Sequence, residues 1–301
     1  MKKLAIKLAI IFFWVFMMFT LVRERIFRRA PNHRDLQTAA FDAASDWRDQ
    51  EEWMRIFYKG LSVGAMNVSL ARDGEAGYVF LARLLMEFKL LTFKNSIMMT
   101  IGAELDGSFI LRRFAAKMRG EGKKWDIDGA YRDGRLFYRV AGEDGATAGD
   151  FEMKRPPSLL EAARANLGRN LELKAGKVYR IPVYDPIWGG GGGEAVVRVA
   201  RRENIALGSE PVSAWRVETT LNNSTTIAWL DNSGATLMRQ LMPDLVMRRA
   251  GRQEILALNQ EFAAPIPRPS FAVEDLMQKP SGGAPSAPIP TILPDFLKGE
   301  H

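Results

Sequence analysis

Five consecutive glycines, Gly189, Gly190, Gly191, Gly192 and Gly193 in DPIWGGGGGEAVVRV, are the first feature of this 301-residue chain that suggests chemistry. Glycine backbone can wrap a phosphate. A phosphate loop, however, follows its glycines with a lysine and a hydroxyl residue that open a helix, so that the lysine reaches the phosphates and the helix dipole favours the anion. Here the acid Glu194 comes next, and then AVVRV, which reads as a strand. A dinucleotide fingerprint fails on the same ground, because it too opens a helix. The run is read as a flexible connection between two strands, with Trp188 beside it. If the fold is hollow, these residues are the gate at its mouth; if it is filled, they are a slack surface loop.

Paired carboxylates are the next candidates. Asp126 and Asp128 in WDIDG lie two apart, so on a strand they share a face, as two metal ligands or two glycosidase acids would. No second pair with matching spacing accompanies them, and strand-turn chemistry explains DIDG followed by AYRDG. An orphan carboxylate hydrolase is therefore the least favoured function. Asp231 in WLDNSG reads as a turn residue. The chain has no cysteine and only two histidines, His33 and His301, both outside the central body. Thiolate nucleophiles, disulfides, a Ser/His/Asp triad and a histidine metal site within the body are excluded. The reading is of a non-catalytic protein without metal or cofactor.

Apolar side chains make a stronger pattern. LLMEFKLLTFKNSIMMTIG combines strand-like alternation with neighbours that are apolar on both faces. Met86, Phe88, Phe93 and Met98, with Trp188, are the candidate wall of a site for a lipophilic ligand, since methionine adapts to irregular shapes. Ordinary core packing is the competing explanation.

The elements that would carry these residues fall into four segments. Residues 1–29 are an anchor with basic flanks: LAIKLAIIFFWVFMMFTLV, residues 4–22, is interrupted only by Lys7 and is long enough as a helix to cross roughly 30 Å of hydrocarbon. A cleaved signal peptide would carry small residues after its apolar run, whereas this run ends in LVRERIFRRAP. Seven of the 42 basic and one of the 35 acidic side chains fall in residues 1–29, which leaves 35 against 34 in the rest. The body thus lacks the charge excess that nucleic-acid binding needs. Positive charge on both sides of the span leaves orientation open: the count favours a cytoplasmic body, and the signal-anchor arrangement favours an exported one.

Residues 30–50, polar and alanine-rich, suit a juxtamembrane helical linker. Over 51–262, β-branched and aromatic stretches alternate with turn signals such as RDGEAG, LDGS and RDGR at about 8 to 12 residue spacing, the pattern of an antiparallel meander. RPPSLLEAARANLGR, residues 155–169, breaks the rhythm as a helix with Ser158 as N-cap and Gly168 as C-cap, and GRQEILALNQEF predicts a short closing helix. Residues 263–301, rich in proline, alanine and serine, form a disordered tail, either a spacer or a strip for an envelope protein partner.

WMRIFYKGLSVGAMNVSL, the hairpin WLDNSGATLMRQL and VYDP together resemble a β-rich bacterial extracytoplasmic domain family of unknown function. Its relatives stand alone behind an export signal or ahead of transglutaminase-like cores. The resemblance covers roughly residues 51–250, with Tyr58, Gly60, Gly64, Trp229, Asp231 and Gly234 as markers. This chain departs from the fused members in having no catalytic core and no cysteine. The resemblance implies a mainly β fold, an incomplete antiparallel β-barrel with one or two helices, similar to the lipoprotein carriers LolA and LolB. It also implies a single-pass protein of the bacterial inner membrane, body in the periplasm, with an interior for a lipid or apolar peptide. It supplies no catalytic residue.

Overall fold

The computed structural model describes residues 36–38, 49–74, 77–90, 93–120, 122–143, 145–164, 172–185, 192–208, 210–222, 224–266 and 268. The anchor 4–22 lies outside them, and no helix among the described residues is long and apolar enough to cross a membrane. The expected linker helix over 30–50 is described only in part. Leu36–Thr38 there is a strand, β1, and Gln50 already begins the next strand.

The body is mainly β. Its strands are β2 (Gln50–Tyr58), β3 (Leu61–Asp73), β4 (Gly77–Leu90), β5 (Phe93–Asp106), β6 (Leu111–Gly120), β7 (Lys123–Arg132), β8 (Arg135–Gly142) and β9 (Gly145–Glu152), then β10 (Ser158–Leu159), β11 (Val178–Tyr184), β12 (Gly192–Leu207), β13 (Glu210–Leu221), β14 (Ser224–Leu230), β15 (Thr236–Met242) and β16 (Leu245–Arg249). Two antiparallel meanders, β2 to β9 and β11 to β16, are stitched into one sheet where β16 pairs with β2, Leu245 opposite Tyr58 and Met247 opposite Ile56.

Tight turns enforce this path. Lys59 and Gly60 at φ 49° and 81°, and Asp133 and Gly134 at 50° and 79°, have the paired positive φ angles of two-residue hairpins, whose twist matches that of the flanking strands. Asp231 Oδ1 accepts from the backbone N–H of Ser233 at 2.8 Å and of Ala235 at 2.9 Å, so it holds the β14–β15 turn as its sequence suggested. Asp126 and Asp128 do not sit in a turn: β7 runs unbroken through both, and the turn comes only at RDGR.

Alternation along the first meander is regular. Tyr78, Phe80, Ala82, Leu84, Met86 and Phe88 of β4 and Ile97, Ile101, Ala103 and Leu105 of β5 belong to one large core with Leu136 and Tyr138 of β8. The second meander builds its own core from Tyr179, Ile181, Val183, Val197, Val199, Val217 and Leu230. A helix, α1, is described over residues 160–164 and lies between them: Ala162 belongs to the first core, Leu160 and Ala163 to the second. Ser158 is therefore not its cap but part of β10, which pairs in parallel with β11.

β9, the last strand of the first meander, comes near β11 through side chains. Phe151 of β9 and Tyr184 of β11 have ring centroids 6.1 Å apart, and Phe114 stands 4.9 Å from Tyr184. Among the described residues β9 pairs only with β8. The result is a mainly β, open sheet in which β9 meets β11 through rings.

Outside the curl, α2 (Arg252–Leu258) and the 3-10 turn Gln260–Ala263 pack Ile255 and Phe262 against Trp53, Ala65 and Leu85, as the closing segment predicted. The Arg83 guanidinium donates to the carbonyls of Glu261 at 2.6 Å, Ala264 at 2.9 Å and Pro265 at 3.1 Å. The folded body therefore extends past 262 to at least Pro265, beyond the boundary read from composition. The rest of the tail, from 269 on, lies outside the described residues.

Candidate functional site

The interior is not filled. A cavity of about 100 Å³ opens where β3, β4, β5 and β6 face β14, β15, β16 and α1. Strand alternation supplies its wall. Met66, Met86 and Met99 project inward from β3, β4 and β5, Met118 from β6, Met242 from β15 and Met247 from β16. Ala82, Leu84, Ile97, Ile101, Leu241 and Leu245 add to the apolar surface. Six thioethers around one void give a wall that can be reshaped at small rotamer cost, because methionine is unbranched and polarisable.

At one side the wall changes character. Glu161 and Arg164, three residues apart on α1, share a helical face and pair with each other. Glu161 also accepts from Arg239 Nη1 of β15 at 2.8 Å, and Arg164 Nη2 donates to Thr226 Oγ1 at 3.0 Å. All four residues line the cavity. Arg239 reaches it because β15 sets it opposite Met247 of β16, so that the two share a face. Its side chain is only 5% exposed, and its Nε–H has no partner. Burial alone would raise the Glu161 pKa; the charges and hydrogen bonds of Arg164 and Arg239 outweigh it and hold the carboxyl at about 2. Two guanidinium groups against one carboxylate leave this edge of an apolar cavity with one net positive charge.

The residues singled out in the sequence fare unequally. Met86 lines the cavity. Phe88 is buried in the same core, edge-on to Tyr58 with centroids 6.0 Å apart, but does not line the void. Met98 is 38% exposed and points outward, because on β5 the inward phase belongs to Ile97, Met99 and Ile101. Phe93 begins β5, and its side chain lies outside the described ones, as do Trp188, Gly189, Gly190 and Gly191. Gly192 and Gly193 are not loop but the start of β12, opposite Tyr184 and Val183.

Asp126 and Asp128 sit on the face of β7 opposite to Ile127, which belongs to the core. Each has its own arginine: Asp126 pairs with Arg119 at 2.9 Å and Asp128 with Arg139 at 3.1 Å. No cluster of metal-ligating side chains occurs among the described residues.

The sequence signal for the polar edge was present but unused: a Glu-x-x-Arg pair inside the apolar LLEAARANL, and a lone arginine inside the apolar ATLMRQLM. Charges embedded in stretches that must be buried are the mark of a satisfied ionic cluster or a site.

No family model matches the chain, and no curated protein matches it. Among solved structures, it is similar to the beta-barrel-like protein of domain of unknown function DUF1849 from Brucella abortus. The identity is 13% and the TM-score 0.48, over 66% of this chain and 93% of that one.

Proposed function

We propose that this chain is a single-pass protein of the bacterial inner membrane whose β-rich body faces the periplasm and holds a lipophilic ligand in its interior without catalysing a reaction on it. The observation that carries this reading is the methionine-walled cavity of about 100 Å³ inside an incomplete barrel. Transfer of apolar ligand surface into it is worth about 25 cal/mol per Å², from which ordering costs are subtracted. As it stands the void admits a few methylenes; a longer chain enters as the methionines turn aside. The apolar run at 4–22 supports the anchor, and the resemblance of residues 51–250 supports the exported side.

The test is extraction of the full chain from membranes followed by mass spectrometry of what accompanies it. Lipid at near one per chain supports the reading; its absence from repeated preparations sinks it. A reporter fused after His301, active only when exported, checks the orientation.

A second reading draws on Arg83. Its three hydrogen bonds fix residues 261–265 against the outer face of β4, which gives the proline-rich tail a defined origin on the body. On this reading the protein is a scaffold that joins the membrane to an envelope protein through the tail. Removal of residues 269–301, which leaves the Arg83 contacts intact, should abolish co-purification of that protein; an unchanged set of co-purifying proteins counts against it.

A further inference from the structure

We propose that the ligand is a single-chain fatty carboxylate whose head is held by Arg239 beside Glu161 and Arg164 while its chain lies among the methionines. This rests on the lipophilic reading of the cavity and adds the chemical class of the head group.

Charge decides the sign of the head. Within the cavity wall, two guanidinium groups meet one carboxylate, and no second acid among the described residues lines the void. Glu161 stays ionised down to about pH 2, so the cluster keeps its single excess positive charge at neutral and mildly acid pH. A cationic amphiphile is repelled from such an edge, and a neutral one leaves the charge uncompensated in a low-dielectric wall. A monoanion neutralises it.

The hydrogen-bond inventory decides the kind of anion. Arg164 spends one nitrogen on Glu161 and another on Thr226, and Arg239 spends Nη1 on Glu161. Arg239 Nε–H remains, unpartnered in a side chain that is 5% exposed and lines the cavity. A buried guanidinium donor without an acceptor calls for an explanation, and of the three arginine Nε–H groups in that state among the described residues, those of Arg139, Arg180 and Arg239, only that of Arg239 belongs to a side chain lining the cavity. A carboxylate oxygen supplies one acceptor and one negative charge, matching both deficits. A phosphate monoester brings more negative charge than the cluster can balance. Size favours a single chain: at rest, about 100 Å³ accepts only part of one.

The experiment uses the full chain in phosphatidylcholine nanodiscs titrated with decanoate carrying ¹³C at its carboxyl carbon, with decan-1-ol and decyl phosphate in parallel and empty nanodiscs as the background for partitioning. Decanoate is expected to bind saturably, at least tenfold tighter than decan-1-ol. Its carboxyl resonance should keep the ionised position to lower pH than in empty nanodiscs. Arg239→Met, which keeps an unbranched apolar stem and removes the charge, should bring decanoate to the level of decan-1-ol.

Equal binding of decanoate and decan-1-ol to the unaltered protein overturns the head-group assignment and leaves the lipophilic reading standing. Tighter binding of decyl phosphate than of decanoate replaces the carboxylate with a phosphate and overturns the proposal. Failure of all three probes to bind removes the lipophilic reading itself. The comparison of decanoate with decan-1-ol and the resonance position need no variant, so they decide the matter even if Arg239→Met does not fold.

Discussion

Glu161 is the residue on which the polar edge depends. It is the shared acceptor of Arg164 and Arg239, and its carboxyl is held at about 2 against an ordinary 4.5. In the unfolded chain it protonates near 4.5, whereas in the folded protein it stays charged to about 2. Its contribution is therefore complete above about pH 4.5 and is lost as pH falls toward 2. A difference of this size corresponds to about 3 kcal/mol. Urea unfolding at pH 6 and at pH 3 should show part of that loss in the unaltered protein and a much smaller pH dependence from this site in Glu161→Gln. That variant should also be less stable at pH 6 by about 3 to 5 kcal/mol, because it strands two buried cations. An equally pH-sensitive Glu161→Gln would mean that other carboxylates dominate. This residue could not be ranked from sequence: Glu-x-x-Arg on a helix is usually a solvated pair, and only the packing of α1 between two cores turns it inward.

Single glycines set the limits of the strand pairs. A Cβ on Gly64 would lie 2.0 Å from the Leu85 carbonyl oxygen and 2.8 Å from the Met86 Cα, so β3 and β4 approach there more closely than any side chain allows. Both partners are backbone and cannot swing away. Gly64→Val should destabilise the body by more than about 3 kcal/mol or prevent its folding, as read by thermal melting or soluble yield. Gly60, which needs its φ of 81° but meets no atom within 4 Å of its Cβ, should lose only about 1 kcal/mol on replacement by alanine.

At this scale the sequence was informative, because period-2 alternation and turn residues such as RDGR mark strands and hairpins directly. The phase of each strand was harder: LLTFKNSIMMTIG is apolar at successive positions, and the contrast of Met98 outside with Met99 inside follows from the partner strands. The glycine run shows the same limit. Pairing extends β12 back to Gly192, so a loop replacement should be confined to residues 189–191, which leaves the Tyr184 and Val183 pairs untouched.

For the molecule as a whole, one body is made from two meanders joined by the pairing of β16 with β2, and a void remains between them. No local pattern announces a void, since it is a residue of how the pieces close. Filling it is the direct check. Ala82 is buried on β4 and lines the cavity, so on the proposed reading Ala82→Leu should abolish lipid co-purification with the full chain while changing stability by no more than about 1 kcal/mol in either direction. Lipid retained at the same stoichiometry, with the fold intact, would put the ligand elsewhere. A void accounts for capacity; a change of capacity requires some part of the frame to give.

The contact between β9 and β11 provides that part. Along each strand, length is fixed by ladders of backbone hydrogen bonds. Among the described residues β9 pairs only with β8, and Phe151 reaches Tyr184 of β11 through its ring, a contact worth about 0.5 to 1.5 kcal/mol beyond burial. A guest longer than the resting void would be accommodated where these strands meet through side chains, because giving way there breaks no ladder.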